Sequence, residues 1–220
     1  MKKFSGAIFD LDGVLVDTAK YHYFAWRRLA ERLGFIFTPE QNEQLKGVSR
    51  MKSLDILLKT GGMQGRFTKP EKETMAEWKN NLYIKEISKM DSSDLLNGAL
   101  PLLQKLKKSG IKTAIGSSSR NAKLVLQVTG IVPYFDAVID GDKVTRAKPD
   151  PQIFLLSASA LSLPPEDCTV FEDSQSGLAA AKAAGIYAIG IGKPNLLSNA
   201  DTVYPDLSAA EIPLYFGLEG

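Results

Sequence analysis

Short apolar runs recur along the chain, and each is followed by a polar or acidic turn and then by a segment with helical periodicity. Five runs are predicted as strands: Ala7-Ile8-Phe9, Thr113-Ala114-Ile115, Ala137-Val138-Ile139, Thr169-Val170-Phe171 and Ala188-Ile189-Gly190-Ile191. Helical patterns cover residues 100–108, 121–128, 151–163 and 177–184. This alternation predicts an α/β fold with a Rossmann-like parallel sheet.

Residues 18–89 break this rhythm, because they contain no convincing strand and instead show four helical patterns in succession. The patterns cover residues 19–33, a stretch from 39, residues 51–59 and residues 70–88. The second opens with Thr38-Pro39-Glu40-Gln41, which combines an N-cap, a proline at the first helical position and a capping-box glutamine. We expect a core domain of residues 1–17 and 90–220 and a four-helix cap of residues 18–89. The cap would lie as a lid over the ligand-binding edge of the sheet.

Composition narrows the class of protein. The 220 residues carry 27 basic and 25 acidic side chains, a net charge of +2 without long runs of one sign, which disfavours a nucleic-acid surface. No apolar stretch approaches 18 residues, so neither a signal peptide nor a membrane span is predicted. Cys168 is the single cysteine, and we expect it to be buried in a cytoplasmic, monomeric protein.

The first candidate for chemistry is Asp10-Leu11-Asp12-Gly13, directly after the first predicted strand. Residues i and i+2 of an extended chain point the same way, so the two carboxylates would lie close together. They would repel each other unless a cation or hydrogen-bond donors offset the charge. Taken alone, the motif is also typical of a surface turn.

Three further polar groups follow later strands. Ser117-Ser118-Ser119-Arg120-Asn121 precedes a helix and could hold a phosphate or act as a simple N-cap. Lys148-Pro149 could place one ammonium group against a phosphate, and Glu172-Asp173 adds two carboxylates. In a parallel sheet all these groups would meet at one edge.

The segments Phe9-Asp10-Leu11-Asp12-Gly13-Val14-Leu15, Ser117, Lys148-Pro149 and Glu172-Asp173-Ser174 match, in order, the four motifs of the haloacid dehalogenase-like superfamily. The helical insert resembles the four-helix cap of that superfamily's first cap class. Dehalogenases lack the second aspartate and P-type ATPases carry DKTGT, so the resemblance implies phosphoryl transfer.

The cap refines the resemblance. Glu43-Gln44-Leu45-Lys46-Gly47-Val48-Ser49-Arg50, together with His22 and Trp26, is similar to the β-phosphoglucomutase family. The chain departs from its relatives at Arg120, where they usually carry lysine. Arginine presents a planar fork in place of a point charge, which changes how a phosphate would be contacted.

The resemblance implies a role for each core residue. Asp10 is expected to be the nucleophile and Asp12 the general acid and base, while Ser117 and Lys148 hold the transferring phosphoryl group. A Mg²⁺ cofactor would be bound by Asp10, by a backbone carbonyl of Asp12 and by the acidic pair. Asp173 is implied as a ligand, and whether Glu172 also binds the metal directly is left open.

The resemblance also implies substrate contacts. The expected substrate-binding residues are His22, Trp26, Arg50, Lys79, Ser119, Arg120 and Asn121. Thr18 is expected at the hinge of the cap. Without the resemblance, Trp26 would be interpreted as cap core, Arg50 as a solvated loop residue and Lys79 as part of a solvated helix face.

The expected activity is interconversion of β-glucose 1-phosphate and glucose 6-phosphate through the 1,6-bisphosphate. A sugar-phosphate phosphatase would use the same core residues and differ in letting water reach the aspartyl phosphate. A non-catalytic phosphosugar-binding protein is a third hypothesis, which the intact motifs disfavour.

Overall fold

The computed structural model describes residues 3–45 and 48–218 and has a six-stranded sheet at its centre. Every neighbouring pair of strands is parallel. The strands are β1 (Gly6–Phe9), β2 (Lys112–Gly116), β3 (Ala137–Ile139), β4 (Cys168–Glu172), β5 (Tyr187–Ile191) and β6 (Thr202–Tyr204). Their order is β3-β2-β1-β4-β5-β6, so β1 lies between β2 and β4. The predicted Rossmann-like α/β fold is confirmed.

The five predicted strands are present, and β6 was not predicted. This edge strand has three half-buried residues and pairs with β5, with Thr202 opposite Ile189. It is as short as β3, but no helical pattern follows it, so the alternation that marked the other strands is absent there. It forms because β5 offers it an open ladder of backbone groups.

Alternate residues of the strands supply two cores. Ala7 and Phe9 belong to one apolar cluster, and Ile8 belongs to the other. The helices α5 (Ala99–Lys108) and α6 (Ala122–Val128) cover the first face, and α7 (Gln152–Ala160) and α8 (Gln175–Ala183) cover the second. Because both faces are covered, the strands are apolar throughout. Cys168 is buried in the second cluster, as predicted.

Four helices lie between β1 and α5. They are α1 (Ala19–Arg32), α2 (Pro39–Asn42), α3 (Arg50–Thr60) and α4 (Lys69–Ile87), and they share an apolar cluster that is separate from the two sheet cores. We call these four helices the cap. The Thr38–Gln41 capping box is present, but α2 ends after four residues and continues as a short 3₁₀ turn. Arg50 is the first residue of α3, so the expectation of a loop position was wrong.

Two chain segments connect the cap to the sheet, and they are bonded to each other. Val16 forms an antiparallel bridge with Leu95, and the Leu96 amide donates to the Leu15 carbonyl over 2.9 Å. The Asp94 carboxylate accepts from Lys20 Nζ at 2.8 Å and from the Tyr21 hydroxyl at 3.0 Å. These contacts anchor the start of α1 next to the end of β1, which places the cap beside the carboxyl ends of the central strands.

Candidate active site

The predicted polar groups meet at the carboxyl edge of the sheet. Asp10 follows β1, Ser117 follows β2 and Glu172 ends β4, and these three strands are neighbours. Lys148 lies on the loop between β3 and α7. A cleft of about 870 Å³ separates this edge from the cap. The convergence expected from a parallel sheet therefore occurs.

Lys148 lies between two carboxylates. Its buried Nζ is 2.6 Å from Asp10 Oδ1 and 2.7 Å from Glu172 Oε2. Burial alone would lower the pKa of this ammonium, but the charges of Asp10 and Glu172 raise it above its usual value. Lys148 therefore places a positive charge between Asp10 and Glu172.

Asp10 is buried in the same cluster. Burial raises the pKa of Asp10 to about 7; Lys148 acts in the opposite direction, and the nearby carboxylates of Glu172 and Asp12 raise it further. A raised pKa means that the ionised form of the carboxyl group is destabilised in this environment. An additional cation next to it would stabilise the ionised form. This is the electrostatic setting of a site that recruits a metal ion.

Asp10, Glu172 and Asp173 form the acidic cluster. Each offers a carboxylate oxygen, and the three oxygens lie within 4.8 Å of one another. Hard oxygen donors at this spacing suit Mg²⁺. Glu172 is already held on both sides, by Lys148 at Oε2 and by the Ser174 hydroxyl at Oε1 over 2.7 Å.

Two glycines make room for these carboxylates. A Cβ on Gly13, which has φ of +85°, would be 2.2 Å from Asp173 Oδ2. A Cβ on Gly177 would be 2.0 Å from Glu172 Oε2. Any side chain at either position would collide with the acidic cluster, so these glycines are part of its construction.

Asp12 is held by hydroxyl groups and faces the cap. Thr18 Oγ1 donates to Asp12 Oδ1, and Ser117 Oγ donates to Asp12 Oδ2 over 3.5 Å. Burial raises the pKa of Asp12, and the hydrogen bond from Thr18 acts against this. Thr18, the expected hinge residue, is fully buried at the start of α1 and contacts Asp12 directly.

The cap presents a histidine and a lysine to Asp12. His22 Nε2 is 4.0 Å from Asp12 Oδ1, and His22 Nδ1 is 2.9 Å from Lys79 Nζ. The His22 ring stacks on Tyr83 with centroids 4.0 Å apart. Burial lowers the pKa of His22 well below its usual value, and the charges of Lys79 and Arg50 lower it further.

Lys79 is buried, so its interpretation as a solvated-face residue was wrong. Its Nζ lies 4.4 Å from the Trp26 ring centroid and 4.9 Å from that of Tyr83. Burial lowers the pKa of Lys79 to about 7, and the nearby Arg50 charge acts in the same direction. Trp26 belongs to the cap cluster and also lines the cleft, so its two interpretations are compatible.

Two arginines line the cleft, one from the cap and one from the core. Arg50 projects from α3, and Arg120 lies on the core loop with its Nε 3.3 Å from Asp142 Oδ1. Burial lowers the pKa of Arg50, and the positive charge of Arg120 adds to the effect. The cap and the core thus each contribute a guanidinium group to the cleft.

The remaining predicted residues connect the core loop internally. The backbone amide of Ser119 donates to Ser117 Oγ over 3.1 Å, and that of Asn121 donates to Ser119 Oγ over 3.2 Å. Lys46 and Gly47, which belong to the segment that carried the family resemblance, lie outside the described residues.

Sequence reasoning missed several residues that line or support the cleft. Tyr83 was missed although it follows Lys79 at i+4, the spacing that places two residues on the same helix face. Asp142 and Asn80 carried no motif signal. Asn80 is revealed only by its partner: Asn121 Nδ2 donates to Asn80 Oδ1 over 2.9 Å, from the core to the cap.

Known proteins share this architecture. The family model "haloacid dehalogenase-like hydrolase" matches residues 4–185. A β-phosphoglucomutase from Bacillus subtilis is 42% identical over 94% of this chain and 92% of its own length. A phosphorylated carbohydrates phosphatase from Thermotoga maritima is 36% identical over 83% of this chain and 82% of its own. The crystal structure of a β-phosphoglucomutase from Clostridium difficile covers 97% of both chains with a TM-score of 0.92 and 40% identity. The motifs, the fold and these relatives together show that the chain belongs to the β-phosphoglucomutase family of the haloacid dehalogenase-like superfamily.

Proposed function

We propose that the protein is a magnesium-dependent phosphomutase that interconverts β-glucose 1-phosphate and glucose 6-phosphate through an aspartyl phosphate on Asp10. The observation that carries this proposal is that cations from both the core and the cap line one cleft. Lys148 lies against Asp10, Arg120 lies on the core loop after β2, and Arg50 lies on the cap helix α3. A sugar bisphosphate that must bind in both orientations needs an anion site at each end.

Asp10 and Asp12 divide the chemistry between them. The phosphoryl group on Asp10 passes to the 6-hydroxyl of β-glucose 1-phosphate, and Asp12 accepts the hydroxyl proton. After the bisphosphate reverses, an Asp10 oxygen attacks the phosphorus at position 1, the bond to the sugar oxygen breaks, and Asp12 returns a proton to that oxygen. The raised pKa of Asp12 supports its role as a proton carrier.

Asp10, Glu172, Asp173 and the Asp12 backbone carbonyl would hold Mg²⁺, with Asp173 as a direct ligand. When bound, the ion neutralises negative charge on the transferring phosphoryl group. Lys148 supplies a second fixed positive charge, and it keeps Asp10 and Glu172 apart while the site is formed. Ser117 and Lys148 are proposed to contact the phosphoryl oxygens.

The cap residues are proposed to bind the sugar and its second phosphate. His22, Trp26, Lys79 and Arg50 line the cleft from the cap, and Ser119, Arg120 and Asn121 line it from the core. Because these groups come from both sides, a bound sugar phosphate would hold the cap against the core. Thr18 would couple closure of the cap to proton transfer, because it lies at the start of the first cap helix and its hydroxyl donates to Asp12.

A sugar-phosphate phosphatase is the second candidate, and the Thermotoga maritima relative supports it. The discriminating experiment supplies Mg²⁺, β-glucose 1-phosphate and a trace of glucose 1,6-bisphosphate and measures glucose 6-phosphate and inorganic phosphate together. A mutase forms glucose 6-phosphate far faster than phosphate. Inorganic phosphate as the main product would favour the phosphatase.

We also propose that the protein acts as a cytoplasmic monomer without nucleic-acid or membrane partners. The near-balanced charge supports the lack of a polyanion partner. None of the helices formed by residues 3–45 and 48–218 is long and apolar enough to cross a bilayer. Light scattering of the purified protein tests the monomer.

A further inference from the structure

Asn80 on the cap and Asn121 on the core are joined by a side-chain hydrogen bond that crosses the cleft. Asn121 Nδ2 donates to Asn80 Oδ1 over 2.9 Å, and 41 residues separate the two in the chain. Both asparagines are partly buried and line the cleft. The bond therefore ties α4 to the loop that follows β2.

The Asn121 side chain does not cap the helix that it precedes. Asn121 is the N-cap residue of α6, a position where asparagine commonly accepts a hydrogen bond from the first turn. Here the side chain makes no cap bond and reaches Asn80 instead. Its amide nitrogen carries two hydrogens, so one can bind Asn80 while the other is directed to a different acceptor.

Asn121 is also one end of a chain of hydrogen bonds that reaches the catalytic aspartate. We define the phosphate loop as residues 117–121. Within it, the backbone amide of Asn121 donates to Ser119 Oγ, the backbone amide of Ser119 donates to Ser117 Oγ, and Ser117 Oγ donates to Asp12 Oδ2. The Asn80 bond to the Asn121 side chain is therefore linked to Asp12 through the residues of this loop.

The position of Asn80 on α4 is fixed by its neighbour. Lys79 is buried between His22 and the Trp26 ring, with contacts of 2.9 Å and 4.4 Å. Any movement of α4 that displaces Lys79 from these contacts also withdraws the Asn80 carbonyl from Asn121. Two successive residues of α4 thus contact two different places: Lys79 contacts His22 and Trp26 of the cap, and Asn80 contacts the phosphate loop.

We propose that Asn80 is a positioning residue that orients Asn121, and with it the phosphate loop, when the cap covers the cleft. This inference rests on the proposed function, because it assigns Asn121 to the second phosphate of the substrate. Asn80 itself does not contact the reacting atoms. It aligns one hydrogen of the Asn121 amide toward the phosphate by holding the other.

Hydrogen exchange of the free protein tests the positioning without activity. In Asn80→Ala, backbone amides of residues 117–122 should exchange at least about threefold faster, because the Ser119 and Asn121 amide bonds lose their outer support. Lys85→Ala, which truncates an exposed side chain of the same helix that does not line the cleft, should leave this exchange unchanged. Equal exchange in Asn80→Ala and the wild type would overturn the proposal.

Asn80→Asp provides a second, independent variant. An aspartate keeps the oxygen that accepts from Asn121 and adds a negative charge near the proposed phosphate site. We expect wild-type exchange in residues 117–122 together with a raised KM for β-glucose 1-phosphate. Should Asn80→Ala fail to fold, unprotected exchange in Asn80→Asp would overturn the proposal by itself.

Kinetics separate positioning from a merely structural role. Asn80→Ala should raise the KM for β-glucose 1-phosphate roughly 3- to 10-fold, the scale of one lost neutral hydrogen bond, and change acetyl phosphate hydrolysis less than about twofold. Adding Asn80→Ala to Asn121→Ala should cause no further rise in KM. Equal effects on both substrates, or additive effects of the two substitutions, would overturn the proposal. If the wild type forms no glucose 6-phosphate, the proposed function fails, whereas the exchange experiment still decides the role of Asn80.

Discussion

Lys148 determines how the acidic residues of the site can coexist. Asp10 and Glu172 are both buried, and each has an oxygen within 2.7 Å of the Lys148 ammonium. A buried charge without a partner is strongly destabilising, so the lysine stabilises this edge of the sheet in addition to its proposed role in phosphate binding. Asp12, in contrast, is held by hydroxyls and faces the cap, where we propose that it transfers protons.

The two aspartates of the first motif should fail in different ways when replaced. Asp10→Asn should abolish phosphoenzyme formation while the protein stays folded, because Lys148 retains Glu172 as its partner. Asp12→Ala should lower turnover by at least about 10²-fold, the scale of general acid–base catalysis, and still bind Mg²⁺ and substrate. Rapid-quench detection of labelled phosphoenzyme, with circular dichroism as the folding control, checks both. Substantial turnover by Asp10→Asn would contradict the aspartyl-phosphate scheme.

Lys79 should make the free energy of unfolding depend on pH. Its pKa is lowered from 10.5 to about 7 in the folded protein, mainly by burial. Between these values the unfolded chain binds a proton that the folded chain does not, so stability rises with pH across this window. Below pH 7 both states are protonated, and the cost of burying the charge is present in full.

Lys79→Met should therefore remove this dependence. Compared with the wild type, the variant should be more stable by roughly a few kcal/mol at pH 6 to 7, and the difference should shrink toward pH 10. Urea unfolding at several pH values measures it, with Lys85→Met, an exposed position on the same helix, as the control. A stability difference that does not vary with pH would contradict a lowered pKa for Lys79.

Residues of the core site could be predicted because each follows a strand and belongs to a motif. The burial of Lys79 could not be inferred from its helix, since α4 carries polar residues on several faces and only its packing against α1 decides which face is inward. The same packing brings Tyr83 onto His22. Asn80 and Asp142 depend on partners distant in the chain, which a pattern along one segment does not show.

Secondary structure could be predicted where strands and helices alternate and where a helical pattern extends over several turns. All five predicted strands and the long cap helices are present, whereas β6 was missed and α2 proved to be one turn. Arg50 moved from a predicted loop to the first turn of α3. Helical backbone there gives the guanidinium a fixed base from which to reach the cleft.

The arginine at the start of α3 should act on substrates that carry a second anionic group. Arg50→Ala should raise the KM for β-glucose 1-phosphate by roughly 10- to 100-fold, because it removes the guanidinium group that is proposed to bind the second phosphate. Hydrolysis of acetyl phosphate, which has no second phosphate, should change little. Steady-state kinetics on both substrates make the comparison.

Arg27→Ala is the matched control for that prediction, because Arg27 is on the outer part of α1 and pairs with Glu31 at 3.3 Å. It should leave both KM values near those of the wild type. Equal losses on both substrates in Arg50→Ala would show that Arg50 does not anchor a distal phosphate.

In the whole molecule, the position of the cap in the chain determines which of its residues lie near Asp10. It is inserted after β1, so its first helix begins eight residues after Asp10 at the N-cap Thr18, and its last helix carries Lys79 back over the cleft. The division into a core of residues 1–17 and 90–220 and a cap of residues 18–89 stays a prediction. What the sequence could not show is how closely core and cap approach, because that depends on contacts such as Asn80 with Asn121.

In the proposed reaction, Asp10 forms an aspartyl phosphate that is passed to a sugar in preference to water. Water is present at about 55 M, so transfer can dominate only if the covered cleft excludes it. The most direct test is to phosphorylate the enzyme with labelled acetyl phosphate in the presence of Mg²⁺, add β-glucose 1-phosphate, and follow the label by rapid quench. We predict that most of the label appears in glucose 1,6-bisphosphate and glucose 6-phosphate, faster than inorganic phosphate is released without sugar. Label that passes mainly to inorganic phosphate, at a rate unaffected by the sugar, would contradict the account.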